Sequence, residues 1–254
     1  MAHGSRDEAA STSIRALVRA VRLLRPEHPV SCCFLDFTRP SLAHALHRFA
    51  DQRPVLVPLF LGTGYHLRVD LPAALAAAGI PLAHLAPALG PHPLLAEALA
   101  DRLAESGAPP HAPVVLAGAG SSDPAALADT ARMARLLATR LGRPVTPAHL
   151  SAAAPTPHQA VAGLRAAGHP GIALATYLLS PGFFARRTAA TPATWAGAPL
   201  GPHPAVARLV LHRYDEARQA SGFARSSPTP PAAPARHRRR SPATARSPPP
   251  AAPG

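Results

Sequence analysis

The chain has 254 residues, enough for one large α/β domain or two small ones. Apolar residues make up 47% and aromatics only 4%, so any core is built mainly from Ala, Leu and Val, and 33 prolines with 17 glycines speak against a helical bundle. The net charge of +13 is carried by arginine without lysine, two cysteines exclude a disulfide framework, and no uncharged apolar run reaches the ~18 residues of a membrane helix.

In chain order, residues 8–25 place Ile14, Leu17, Val18, Val21 and Leu24 on one stripe, which predicts an amphipathic helix. Residues 29–35 form a compact apolar run and are expected as a buried strand, with the adjacent Cys32 and Cys33 as small buried side chains. Residues 41–50 return to helical spacing through Leu42, Ala45, Leu46 and Phe49, and residues 54–61 are again apolar and strand-like. Continuous apolar strands between amphipathic helices imply an α/β fold with a parallel sheet covered on both faces.

The pattern then starts over. A strand at 113–116 runs into Gly118-Ala119-Gly120-Ser121-Ser122-Asp123, which parallels Ala2-His3-Gly4-Ser5-Arg6-Asp7. Arg39-Pro40-Ser41 parallels Ala154-Pro155-Thr156, Leu61-Gly62-Thr63-Gly64-Tyr65-His66 parallels Leu179-Ser180-Pro181-Gly182-Phe183-Phe184, and Gly90-Pro91-His92-Pro93 parallels Gly201-Pro202-His203-Pro204. Four matches in one order indicate two tandem repeats of an α/β unit of roughly 105–110 residues. The expected organisation is a working N-terminal repeat at 1–108, a degenerate repeat at 112–222 and a disordered Pro/Arg-rich tail at 223–254. Repeat two has a strand before its Gly-Ala-Gly-Ser turn where repeat one has only Met1-Ala2, so the first strand is expected to be truncated or to begin upstream of this Met.

Differences between the repeats locate the chemistry. His3 faces Ala119 and His66 faces Phe184, so both histidines belong to repeat one. His3, Asp36 and His66 all fall at the carboxyl ends of predicted parallel strands, where open α/β sheets hold their ligand crevice. Two imidazoles and a carboxylate there make a divalent metal site. His92 and His203 recur in both repeats, which points to helix starts rather than catalysis.

Three segments, Ala2-His3-Gly4-Ser5-Arg6-Asp7, Phe34-Leu35-Asp36 and residues 57–72 with Gly62-Thr63-Gly64-Tyr65-His66-Leu67-Arg68-Val69-Asp70, resemble the class II tetrapyrrole chelatases, above all the long, duplicated sirohydrochlorin chelatases. The resemblance covers roughly residues 1–220. It implies insertion of Co²⁺ or Fe²⁺ into a polycarboxylate tetrapyrrole, with His3 and His66 as the catalytic pair and His3, His66 and Asp36 toward the metal. Asp36 stands where that family usually has Glu, one methylene longer. No cofactor beyond the divalent metal substrate is expected. Ser5, Arg6, Arg39, Gly64, Tyr65 and Arg68 lie near the proposed mouth, where arginines suit the acid groups of the macrocycle. Asp70 either orients a histidine or caps a helix.

Three other readings compete. Histidine phosphatases place a His-Gly after a first strand but with Arg before it, and here Ala2 precedes His3. A metal or tetrapyrrole carrier without turnover is the main alternative. The Arg236-His237-Arg238-Arg239-Arg240 run gives only salt-sensitive affinity for nucleic acid, so no specific nucleic-acid partner is expected. Met1-Ala2-His3-Gly4 lacks the features of a secretory signal, and a cytoplasmic, monomeric protein is the expectation.

Overall fold

Apolar stripes spaced for helices and apolar runs sized for strands assemble here into parallel ladders flanked by helices. The computed structural model describes residues 1–49, 54–64, 71–77 and 85–220, all within one unit, Met1–Phe223. Residues 221–254, and with them the expected disordered tail, lie outside the described residues. The elements are α1 (Glu8–Leu24), α2 (Leu42–Arg48), α3 (Leu71–Ala77), α4 (Pro93–Glu105), β1 (Val114–Gly118), α5 (Pro124–Leu141), β2 (Val145–His149), α6 (Pro157–Ala166), β3 (Ala173–Tyr177), α7 (Phe183–Ala189), β4 (Trp195–Ala196) and α8 (Pro204–Ala220).

In repeat two the strands are parallel in the order β2-β1-β3-β4. Every residue of β1 is buried. Successive side chains point to opposite faces, so Val114 and Leu116 join one apolar cluster while Val115 and Ala117 join another with Val161, Ile172 and Leu174. That burial on both faces is what a continuous apolar strand requires.

Repeat one follows the same order on a shorter scale. Ala2 N–H donates to the Cys33 carbonyl (2.9 Å), and Leu35 N–H donates to that of Ala2 (3.0 Å). On the other side the Met1 amine donates to the Val57 carbonyl (2.8 Å), and Leu59 N–H donates to that of Met1 (2.8 Å). Ala86 N–H continues outward to the Leu56 carbonyl (2.9 Å). The runs at 29–35 and 54–61 are therefore not the full strands expected from sequence: they form isolated parallel bridges, Ala2 with Phe34 and Leu56 with Leu85. The physical reason is the central partner. Met1-Ala2 offers each neighbour only a residue or two of ladder, against five in β1.

The duplication extends to the helix caps. Asp7 accepts from Ala9 N–H and Asp123 from Ala125 N–H, both at 3.0 Å, and each is preceded by a serine whose hydroxyl accepts the N–H of the aspartate (Ser5 and Ser121, 3.0 Å). Ser41 caps α2 and Thr156 caps α6. The imidazoles of His92 and His203 accept from Leu94 and Ala205 N–H at 3.1 and 3.2 Å, so both are N-caps, in keeping with their recurrence at helix starts.

The two repeats share one core. Leu17 and Val21 of α1, Leu95 and Leu99 of α4, Met133 and Leu137 of α5 and Leu209 of α8 belong to a single buried cluster. Cutting any one of these leucines to alanine is expected to cost about 2–5 kcal/mol. Polar ties cross between the repeats as well: Arg25 forks onto Asp215 at 2.7 and 2.6 Å, and Arg213 donates to the Leu89 carbonyl at 3.2 Å. Cys32 and Cys33 are free thiols, the second buried, and burial pushes its pKa up.

Candidate active site

The site begins at the carboxyl end of the Met1-Ala2 run. Ala2 is held between Cys33 and Leu35, so the next residue, His3, emerges at the sheet edge beside the end of the neighbouring run, and Asp36 N–H donates to the His3 carbonyl at 2.8 Å. Gly4 then turns the chain with φ +102°, in van der Waals contact with the Asp36 backbone. Only glycine tolerates both the dihedral and the approach. Ser5 closes the turn through Thr38: Ser5 N–H donates to the Thr38 hydroxyl, which donates to the Ser5 carbonyl, both at 3.1 Å.

This framework brings His3 and Asp36 together. His3 Nδ1 stands 3.7 Å from Asp36 Oδ2, with the side chains 41% and 57% exposed. That separation is too long for a hydrogen bond. Two donors held about 2.0–2.2 Å from one ion lie no more than about 4.3 Å apart, so the pair is spaced for two ligands of a single metal. Phe37, at φ 57°, stacks on the His3 ring with centroids 6.5 Å apart and 26° between planes, and Arg6 places its guanidinium 5.0 Å from the Phe37 centroid.

A cleft of about 140 Å³ opens beside His3. Repeat one lines it with His3, Ser5, Phe34 and Phe60, and repeat two with Leu179 and Ser180. Arg186 of α7 pairs with Asp7 at 2.6 Å between the repeats, and the exposed Phe183 has the Arg187 guanidinium 5.8 Å from its centroid. The Arg186 hydrogen bond holds the Asp7 carboxyl below the usual carboxylate range, with the Ala9 N–H adding to it.

Of the residues expected from sequence, His3, Ser5, Arg6 and Asp36 converge here. Ser5 uses its hydroxyl oxygen as acceptor for Asp7 N–H and keeps a proton to donate. Arg39 is exposed, and its carbonyl accepts from Arg15 at 3.5 Å. A Cβ on Gly64 would meet none of the described residues within 4 Å. Tyr65, His66, Arg68 and Asp70 lie outside the described residues. Among the described residues no three His, Cys, Asp or Glu side chains group to hold a metal.

Several residues at this end of the fold escaped the sequence reading. Phe37 and Phe183 are two of four exposed large hydrophobics among the described residues, and each carries an arginine over its ring. Asp129 and Tyr177 contact the loop of residues 61–63 from repeat two. Comparing the repeats for gained polar residues, and not only for lost histidines, would have found the latter two: in the repeat register Asp129 faces Ser13 and Tyr177 faces Leu59.

Comparisons with known proteins agree with this architecture. The CbiX family model matches residues 1–106 and again residues 113–217. A sirohydrochlorin cobaltochelatase of Priestia megaterium is 32% identical over 120 residues, an alignment covering 42% of this chain and 39% of that protein. This chain therefore matches well under half the length of that relative. The structure of SirB from Bacillus subtilis with Fe³⁺ superposes with a TM-score of 0.73 at 24% identity, over 88% of this chain and 95% of that one. The structure of CbiX, described as the terminal enzyme for biosynthesis of siroheme in denitrifying bacteria, gives 0.63 at 23% identity, over 85% and 96%. At these identities the structural likeness establishes the fold, a doubled chelatase-type α/β unit. No helix among the described residues is long and apolar enough to cross a membrane. With its sequence matched twice in tandem over most of its length, the chain belongs to the CbiX family.

Proposed function

We propose that this protein is a metal chelatase that inserts a divalent ion, Co²⁺ or Fe²⁺, into a sirohydrochlorin-type polycarboxylate tetrapyrrole. The observation that carries the reading is the meeting of His3 and Asp36 at the carboxyl ends of adjacent parallel runs, beside a cleft that repeat two closes with Leu179 and Ser180. Membership of the CbiX family and the relative named as a sirohydrochlorin cobaltochelatase support the same chemistry.

Insertion must deliver the ion to the macrocycle face, form bonds to four pyrrole nitrogens and release the two pyrrole N–H protons. Neutral imidazole can either ligate a borderline ion or accept a proton, and imidazolium can do neither. In this reading His3 and Asp36 share the incoming ion; once it has passed to the macrocycle, His3 takes one pyrrole proton and His66, the second histidine, takes the other. Ser5, Arg6, Arg39, Gly64, Tyr65 and Arg68 receive the macrocycle, the arginines by pairing with its carboxylates. The N-terminal repeat (1–108) performs the chemistry, the second (112–222) closes the cleft, and the tail (223–254) is dispensable. Because one chain supplies both walls, we read the protein as a monomer, working in the cytoplasm without a specific nucleic-acid partner.

Anaerobic incubation of sirohydrochlorin with Co²⁺ or Fe²⁺ and protein, followed by visible absorption, tests the reading. Catalytic amounts should convert many equivalents of the macrocycle faster than the protein-free control. One equivalent bound per chain, without acceleration, would make the protein a carrier instead.

A further inference from the structure

Repeat two has lost both histidines, yet it grips the loop that leads to one of them. Asp129 lies in α5 and Tyr177 ends β3. One oxygen of Asp129, Oδ2, accepts from the backbone N–H of Thr63 at 2.8 Å and from its hydroxyl at 2.7 Å. The Tyr177 hydroxyl donates to the Leu61 carbonyl at 2.6 Å. Three hydrogen bonds thus hold two residues of a three-residue turn.

The spacing leaves little slack. A Cβ on Gly62 would meet Asp129 Oδ2 at 3.4 Å. A Cβ on Gly90 would lie 2.2 Å from the Tyr177 hydroxyl and 2.4 Å from the Leu61 carbonyl oxygen. Tyr177 is 4% exposed, and a hydroxyl buried so deeply needs a partner. Burial first, then the charge of Asp129, pushes its pKa far up, so the hydroxyl keeps its proton and remains a donor.

The repeat register adds an independent observation. Where repeat two carries Asp129 and Tyr177, repeat one carries Ser13 and Leu59. Asp129 and Tyr177 are thus differences between the repeats, carried by the half without catalytic histidines and turned onto a loop of the other. Thr63 itself sits between Gly62 and Gly64, which give the turn almost no conformational preference of its own. Something outside the turn has to fix it.

We propose that Asp129 and Tyr177 are positioning residues for the metal-handling loop, fixing the Leu61 and Thr63 backbone that precedes His66 in the sequence. This rests on the role given to His66 under Proposed function. Repeat two is then more than a lid: it supplies the anchor that a glycine-rich loop lacks, and precise orientation of a reacting group is worth large factors in rate.

The test uses the full chain with Asp129→Ala, Asp129→Asn, Thr63→Val and Tyr177→Phe, assayed for Co²⁺ insertion into sirohydrochlorin below the unfolding transition of each variant. Asp129→Ala should lower kcat by about tenfold or more while KM for the macrocycle stays within about twofold. Asp129→Asn, whose amide oxygen accepts both bonds, should recover most of that loss. Thr63→Val should cost little more once Asp129→Ala is present, because the hydroxyl bond it removes is already gone. The visible spectrum of Co²⁺ bound without macrocycle should shift in Asp129→Ala and return in Asp129→Asn. Folded variants with wild-type kcat and an unchanged cobalt spectrum would overturn the proposal alone. A wild-type protein that inserts no metal would overturn it together with the functional reading.

Discussion

Gly4 and Asp36 are pressed together so closely that a Cβ on Gly4 would stand 1.8 Å from the Asp36 carbonyl oxygen. The same contact recurs in the other repeat, where a Cβ on Gly120 would stand 2.0 Å from the Ser151 carbonyl oxygen. Both glycines have positive φ, +102° and +87°. Gly4→Ala and Gly120→Ala are each expected to destabilise the protein by about 1–3 kcal/mol or more. Only Gly4→Ala should also reduce metal insertion per folded molecule, because it alone displaces His3 from Asp36. Urea unfolding and initial rates on the same samples separate the two effects. Equal activity loss in both variants would show that the turn matters only for folding.

Asp36 and Ser151 occupy the same place in the two turns, so the carboxylate, like the histidine, belongs to repeat one. Asp36→Asn keeps the shape and removes the charge, and should weaken Co²⁺ use by roughly tenfold, read as a raised KM for metal at constant macrocycle. Asp36→Glu should retain activity. If Asp36→Asn inserted metal with an unchanged KM for Co²⁺, the carboxylate would have no part in delivering the ion.

Arg6 lies with its guanidinium over Phe37, and Arg187 with its own over Phe183. A flat apolar face beside a cation suits a planar ring edged with carboxylates. Arg6→Gln and Arg187→Gln should each raise KM for sirohydrochlorin by about threefold to tenfold with kcat nearly unchanged, the mark of binding lost equally in ground and transition states. Added salt should raise KM in the wild type and less so in the variants. A fall in kcat at constant KM would instead place these arginines in the chemistry.

His92 supplies a pH test of folding. Burial first, then the Arg213 and His212 charges, push its pKa from the ordinary 6.5 down to about 4. The unfolded chain therefore takes up a proton below pH 6.5 that the folded protein refuses until about pH 4. The contribution is fully present above pH 6.5, is lost as pH falls toward 4, and falls no further below that. His92→Asn keeps a cap for Leu94 N–H without a titrating ring. Its unfolding free energy should decline less steeply than that of the wild type between those two pH values. Parallel curves would mean that His92 does not titrate with folding.

Much of this molecule was legible from its residues because the chain repeats itself. The starts of the Asp-capped, Ser/Thr-capped and His-capped helices were visible as matched segments, and the parallel α/β class followed from apolar runs such as 113–116. The juxtaposition of His3 with Asp36 was readable because both stand at strand ends, which a parallel sheet gathers on one edge. The short first strand was expected from the repeat comparison, but not that runs 29–35 and 54–61 would shorten with it, since an apolar run looks alike whether its partner is two residues long or five. Nor were Asp129 and Tyr177, whose partners lie 66 and 116 residues away; no local period reports a tie of that range.

In the proposed mechanism His3 and His66 of repeat one carry metal insertion. Its most direct test is a single-turnover measurement of Co²⁺ insertion with His3→Ala, His66→Ala and the double variant, on protein shown to be folded and to bind sirohydrochlorin. Each single variant should slow the step by about a hundredfold or more, and the double variant should be hardly slower than either, as expected of residues that act as a unit. Wild-type rates in both single variants would contradict the assignment.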